Sequence, residues 1–438
     1  MRNAILLLPP LFVITCWALV SVNIPDWDDF DAILKHIVLP ASDRLTDLFA
    51  PHNEHRIVLT KLIADAFLAI RGTLDLRWMM LCGNIMLIAY GFLWHRIFMR
   101  KGKSEEWIGI GILWLLLSLM HRENILWAMT SIQNIAVILF ALLAILFAQG
   151  EGALRLIAAM LCASISTFSS GGGVFVWPCL IMCEWFGKHR SGHLTALTAV
   201  AAAIVFLFVF LLPSQTATPH IVQDIPKAGE TVLASTTIMN YSVQITPMFL
   251  LRHVIYACSL FISLMGSAAA FPYAVFAFGL TVLALATPIA VNFRTYAGKP
   301  IFAFLVFLIA NAVPCAIFRA AEFMPAVHSR YCILGASILA SVLYLTTKHL
   351  PSRGMGILMV VFAIVCNAYW FGAMTQRAEH LRKNFMMWPK DPRGLSYPQD
   401  RLDSANRTLS DCINRGLYTR PPAKPGEAAP KDPLQIKW

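Results

Sequence analysis

The sequence predicts an all-α polytopic membrane protein, a transmembrane helix bundle of about 11 spans, on three observations. Of 438 residues, 58% are hydrophobic and only 13% are charged. Mean hydropathy is +0.65, more apolar side chain than a water-soluble interior of this size hides. Long apolar runs recur along most of the chain, separated by short basic stretches. The formal net charge of +11 therefore reads as topology-setting loop charge, and no nucleic-acid partner is expected.

Taken in order, candidate spans fall at roughly 4–23, 75–98, 107–120, 132–149, 154–168, 174–187, 194–213, 271–291, 300–317, 331–347 and 354–373. The first resembles a secretory signal, but its apolar run is too long and no small-x-small site follows, so an uncleaved span is expected. The basic stretches 95–103, 187–193, 292–299 and 346–354 are expected on the cytoplasmic side. That places the N-terminus in the cytoplasm and the C-terminus outside. Segment 57–70, "IVLTKLIADAFLAI", is short for a span, and Thr60, Lys61 and Asp65 share a helical stripe. It is expected as an interfacial helix on the outer face. Segment 251–268 is expected to be interfacial or re-entrant. Residues 374–438 read as a short polar C-terminal tail, with 419–433 extended and one short helix before it. Of ten cysteines, only Cys412 lies in a polar segment, and no CxxC occurs; they read as packing residues.

On this topology the unusual polar residues gather on the outer face. The first outer loop, 23–56, is acidic in a basic protein and contains "PDWDDFD", with Asp26, Asp28, Asp29 and Asp31. Carboxylates this close together should raise the pKa of at least one, as a general base requires. Trp27 and Phe30 beside them read as interface anchors. The loop ends in "HNEHR": His52, Asn53, Glu54, His55 and Arg56. HxxH with one intervening glutamate lacks the ligands of a metal site, unless Asp26–Asp31 supply them. The second outer turn, "LMHRENILWAMTSIQNI" (119–135), holds His121, Arg122, Glu123, Asn124, Trp127 and Gln133. Arg122 reads as a snorkelling side chain, whereas Asn124 and Gln133 at membrane depth need a cavity or a partner. The third, "STFSSGGGVFVWP" (166–178), reads as an anion cradle of bare N–H groups or a flexible turn. The fourth, "FRAAEFMPAVHSRY" (318–331), places Arg319, Glu322, His328 and Arg330 outside, against the positive-inside bias. Outward arginines suit a phosphate at headgroup level; the plainer reading is ion pairing of Arg319 with Glu322.

The acidic "PDWDDFD" just after the first span, with "FAPHNEHRI", "ENILWAM", "FSSGGGVFVWP" and "HSRY", resembles bacterial polytopic glycosyltransferases of the GT-C architecture. The layout is similar to phage-type O-antigen glucosyltransferases over roughly residues 1–373. The resemblance implies a bacterial inner-membrane enzyme that moves a sugar from a polyprenyl-phosphate donor to a cell-envelope glycan or lipid acceptor at the outer face, without a cofactor. It implies Asp28 or Asp29 as the base, with Asp26 in the same motif, and inversion at the anomeric carbon. Arg56, Arg319 and Arg330 become candidates for the lipid phosphate. His52, Asn53, Glu54 and His55 become candidates for sugar hydroxyls or for orienting the base, with His121, Asn124, Trp127, Gln133 and Glu322 as further substrate-binding positions. Trp127 and Trp177 would stack on a sugar or anchor at the interface. A transporter or flippase for a lipid-linked saccharide is the alternative; it should carry repeat symmetry and midplane polar residues, and no internal repeat is visible. An acyl- or phosphoethanolamine-type transferase is a third reading, hinted at only by "HNEHR".

Overall fold

The computed structural model describes residues 2–53, 55–102, 105–150, 152–186, 192–210, 293–296, 298–323, 329–346 and 352–421, with isolated positions 287 and 289. Their regular structure is helical. The two isolated bridges, His52–His55 and Leu74–Tyr418, belong to no strand. The expected stretch 251–268, all of 271–291 but positions 287 and 289, Glu54, His328 and most of 419–433 lie outside the described residues, as do the side chains of Arg319 and Glu322.

Helix α1 (Arg2–Val20) leads into a short π-helical turn (Phe30–Leu34), α2 (Lys35–Val38) and α3 (Ala41–Leu48). Helix α4 (Val58–Arg71) ends at Gly72, whose φ of 73° provides the left-handed C-terminal stop. Asp75 then caps α5 (Leu76–Lys101) by accepting the Arg77 N–H. Next come α6 (Glu106–Leu116), α7 (Arg122–Leu126), α8 (Ala128–Ala148), α9 (Ala153–Thr167), α10 (Val176–Phe186) and α11 (Gly192–Phe210). After the undescribed stretch follow α12 (Phe293–Tyr296), α13 (Pro300–Phe323), α14 (Cys332–Thr346), α15 (Ser352–Met387) and α16 (Leu402–Asn414).

Among the described residues, five helical stretches are long and apolar enough to cross a membrane: Leu76–Lys101, Glu106–Leu126, Ala128–Ala148, Ser329–Thr346 and Arg353–Met387. Four shorter apolar helices accompany them: Ile5–Val20, Ala153–Thr167, Gly171–Phe186 and Pro300–Val313. The described residues thus contain an apolar helix bundle suited to a lipid bilayer. Apolar side chains on its outside agree: Leu7, Leu11 and Leu19 on α1, Leu154 and Leu161 on α9, and Leu358, Val361 and Val365 on α15 are exposed, a distribution that water would oppose.

Inside, helices pack through small residues. A Cβ on Gly83 of α5 would lie 2.5 Å from the Ser131 side chain of α8, and one on Gly356 of α15 would lie 2.1 Å from the Trp107 carbonyl oxygen of α6. Between α6 and α7 the chain breaks at Leu117–His121, and Asn367 of α15 accepts the freed Leu119 N–H (2.7 Å). Tyr90 donates to Ser337 (2.7 Å), joining α5 to α14.

Sequence expectations change in three places. Helix α15 runs through position 374, where the polar tail was expected to begin. Trp370, Met374, Ala378, Phe385 and Trp388 are buried; the chain then folds back onto the first loop. Tyr397 donates to Asp31 and packs on Phe30 (5.1 Å between ring centroids), Tyr418 donates to the Asn23 carbonyl, and the Cys412 thiol meets the Leu34 carbonyl (3.5 Å). Phe30 is therefore core rather than an interface anchor, whereas Trp27 is half exposed. The polar stripe of α4 also faces protein. Lys61 donates to Asp47 (2.8 Å), and His36 lies between Asp47 (2.7 Å) and Asp65 (3.0 Å).

Candidate functional site

The site is built where the loop after α1 meets the break between α7 and α8. Asp29 is fully buried and receives two main-chain N–H groups: Asp26 donates to Oδ2 (3.1 Å) and Met129 to Oδ1 (3.0 Å). Met129 belongs to the first turn of α8, so Asp29 satisfies a helix-terminal donor from another segment. Asp26 is also buried and pairs with Arg377 of α15. Burial pushes the carboxyls of both Asp26 and Asp29 upward. For Asp26 the Arg377 charge opposes the rise, and Glu123 and Asp28 add to it. For Asp29 the rise is large, with the Asp26 and Asp28 charges as smaller contributors. The expected upward shift is present, but dehydration dominates over repulsion between carboxylates.

Asp28 is the more open member, and its Oδ1 lies 3.9 Å from His52 Nε2. His52 and His55 face each other through reciprocal main-chain hydrogen bonds of 2.7 and 2.9 Å. Asn53, between them, adopts φ 50°, which asparagine tolerates. His55 Nδ1 accepts the Gly171 N–H (3.1 Å); in a neutral ring this leaves the proton on Nε2. That contact uses the first bare N–H of "SSGGG". The next two glycines serve packing: a Cβ on Gly172 would meet Asn311 at 1.8 Å, and one on Gly173 the Ser166 carbonyl at 2.0 Å. Arg56 is turned onto the Phe49 carbonyl. Among the described residues, no three His, Cys, Asp or Glu side chains form a metal cage.

On the other side, Asn124 is buried and donates to the Arg330 carbonyl (2.8 Å) while accepting from Asn134 (2.9 Å). Ser329 accepts the Glu123 N–H (3.2 Å), and a Glu123 carboxylate oxygen accepts the Arg330 N–H (3.2 Å). Arg330 stacks over Trp127 (5.3 Å) and Tyr331 (5.2 Å), and Arg122 over Trp370 (4.1 Å). Arg122, Glu123, Leu126, Trp127, Met374 and Arg377 line a narrow cleft that, as packed, has room for about one water. Three buried N–H donors here have no acceptor among the described residues: Arg122 Nη1, Trp127 Nε1 and Arg330 Nε.

Of the sequence candidates, Asp26, Asp29, Asn124, Trp127 and Arg330 converge on this junction, and Asp28 links it to His52, Asn53 and His55. His121 and Gln133 are buried; His121 Nε2 lies 3.1 Å from the Leu115 carbonyl. Trp177 is buried and donates to Thr167 (3.1 Å), a packing role. Arg377 was not among the candidates, because it stands beyond the expected end of the last span. Its signal lies in the apolar spacing of Trp370, Met374, Ala378, Leu381 and Phe385, which continues one helical face past residue 373. No family model, curated protein or solved structure matches the chain.

Proposed function

We propose that this protein is an inverting glycosyltransferase of the GT-C type that moves a sugar from a polyprenyl phosphate to a cell-envelope glycan or lipid at the outer face of a bacterial inner membrane. The observation that carries the reading is the pairing of a carboxylate loop with unused N–H donors, two of them from arginines. Among the described residues Arg122 Nη1, Trp127 Nε1 and Arg330 Nε have no acceptor, and Arg122 and Trp127 line the same cleft as Arg377, the partner of Asp26. Buried donors without acceptors are costly, and a phosphate oxygen is the acceptor that two arginines match best.

Asp28 is the carboxylate suited to be the base. It is partly exposed and stands beside His52, whereas Asp29 has both oxygens occupied by main-chain donors. In the reaction an acceptor hydroxyl attacks the anomeric carbon from the face opposite the phosphate. The new C–O bond forms as the bond to phosphate breaks, the proton passes to Asp28, and the lipid phosphate leaves with its charge held by Arg122 and Arg330.

The orientation has support of the same kind. Asn23 accepts the Leu76 N–H at the start of α5 (2.9 Å), while Lys101 at its end stacks on Tyr344 (4.6 Å). The basic end of α5, residues 95–101, lies opposite the carboxylate loop, which supports a cytoplasmic side for it. The loop and the C-terminal segment bound to it then lie outside, with α4 along the outer surface. The candidate site groups gather at one end of the bundle, which favours an enzyme over a flippase.

Asp28→Asn is expected to lower surface-glycan modification in the native host by about 100-fold or more, the usual weight of a general base, at unchanged membrane abundance. Normal modification by Asp28→Asn, Asp29→Asn and the double variant would falsify the assignment.

A further inference from the structure

Arg377 belongs to two assemblies at once. One side of its guanidinium pairs with Asp26 Oδ2, and the residue also forms part of the cleft wall with Arg122 and Trp127. The two partners differ in burial: 38% of the Arg377 side chain is exposed against 7% for Asp26. Arg377 therefore has donor surface left after the ion pair, whereas Asp26 is enclosed and depends on that pair. Facing Asp26 are Arg377 from α15, Glu123 from α7, and Asp28 and Asp29 from its own loop. Arg377 is the one cation in that set.

We infer that Arg377 is a positioning residue shared between the acidic loop and the anion cleft, so that Asp26 and a bound phosphate compete for one guanidinium charge. This rests on the reading of the cleft as a lipid-phosphate site. A phosphate entering beside Arg122 and Trp127 must widen the cleft; it then draws on the open side of Arg377 and weakens its hold on Asp26. The loop carrying Asp26 and Asp28 is then released or re-aimed as the donor binds. Conversely, an ionised Asp26 holds Arg377 back and limits affinity for the phosphate.

The inference predicts opposite effects for the two partners, which a salt bridge that only supports the fold does not. The test uses the full chain purified in detergent and farnesyl phosphate as the probe, with farnesol and inorganic phosphate as separate arms. Binding is read by calorimetry and melting by intrinsic fluorescence. Arg377→Gln should weaken farnesyl phosphate binding by about tenfold or more, the weight of one charge-assisted contact. Arg377→Lys should recover part of that loss. Asp26→Asn, which frees the guanidinium, should tighten binding by about threefold to tenfold despite a lower melting temperature. Tighter binding cannot come from misfolding, so this variant keeps the test decisive if Arg377→Gln folds poorly. Unchanged or weaker binding by Asp26→Asn, with normal binding by the unaltered chain, overturns the inference and leaves the phosphate site standing. Binding of farnesol as tight as that of farnesyl phosphate, or no binding by the unaltered chain, overturns the phosphate site and the inference with it. Equal binding of inorganic phosphate places the recognition in the headgroup alone and still supports the shared charge if Asp26→Asn tightens it.

Discussion

Asp47 illustrates how a partly buried ionic cluster holds three helices together. Burial opposes its charge, but hydrogen bonds from His36 and Lys61 and the Lys61 charge outweigh that and bring its carboxyl down to about 2 from an ordinary value of 3.8. A carboxyl with a lowered folded-state pKa contributes stability that is full above the unfolded value and is lost as pH falls through the folded one. For Asp47 that window runs from about pH 4 down to about 2. Asp47→Asn should therefore cost roughly 1–2 kcal/mol near neutral pH, and the gap to the unaltered chain should close as pH falls through that window. Chemical unfolding in detergent at several pH values measures it; a gap independent of pH would show that the Asp47 charge is not what joins α2, α3 and α4. At the site, the same balance separates three adjacent aspartates. Asp29 is locked by two N–H groups, Asp26 by Arg377, and Asp28 stays available.

Helix packing depends on where a side chain is absent. Gly356 lets α15 approach the Trp107 carbonyl on α6, where a Cβ would stand at 2.1 Å. Gly354, two residues away, has nothing within 4 Å. Gly356→Val is expected to destabilise by about 1–3 kcal/mol through overpacking, whereas Gly354→Ala should be neutral or slightly stabilising. Thermal melting of the two purified variants compares them directly, and equal melting temperatures would refute the close α6–α15 approach. This approach also matters for function. Helix α15 carries Arg377, Trp370 and Met374 to the cleft and Asn367 to the break after α6.

Across the whole molecule, the first loop and the last segment form one layer over one end of the bundle. Phe30, Leu34 and Asn23 are covered by Tyr397, Cys412 and Tyr418, and Leu74 pairs its N–H with the Leu417 carbonyl (2.8 Å). A chain ending after Met387 should still insert its apolar helices, but its first loop should lose that cover. Trypsin should then cut after the exposed Lys35 at least about tenfold faster, as expected when local opening becomes easier. Equal protection in the shortened and full chains would show that the loop is held by the bundle alone.

Sequence by itself determined the solvent and the secondary structure. Apolar runs with basic separators require helices in a bilayer, because lipid offers the backbone no hydrogen-bond partner. The acidic loop, "HNEHR", Asn124, Trp127 and Arg330 also stood out, since polar groups in so apolar a chain need a reason to be there. Only the tertiary structure decided which of them meet. Burial, rather than mutual repulsion, raised Asp26 and Asp29, and burial is a property of the packed chain. The polar stripe of α4 marks an interfacial helix in the sequence, and only the fold shows that it faces His36 and Asp47, because a charged stripe looks the same whether water or another charge answers it. Arg377 reaches Asp26 across 351 positions, and no local pattern encodes a partner at that separation; the contact exists because α15 continues past residue 373 and brings the C-terminal segment back over the first loop.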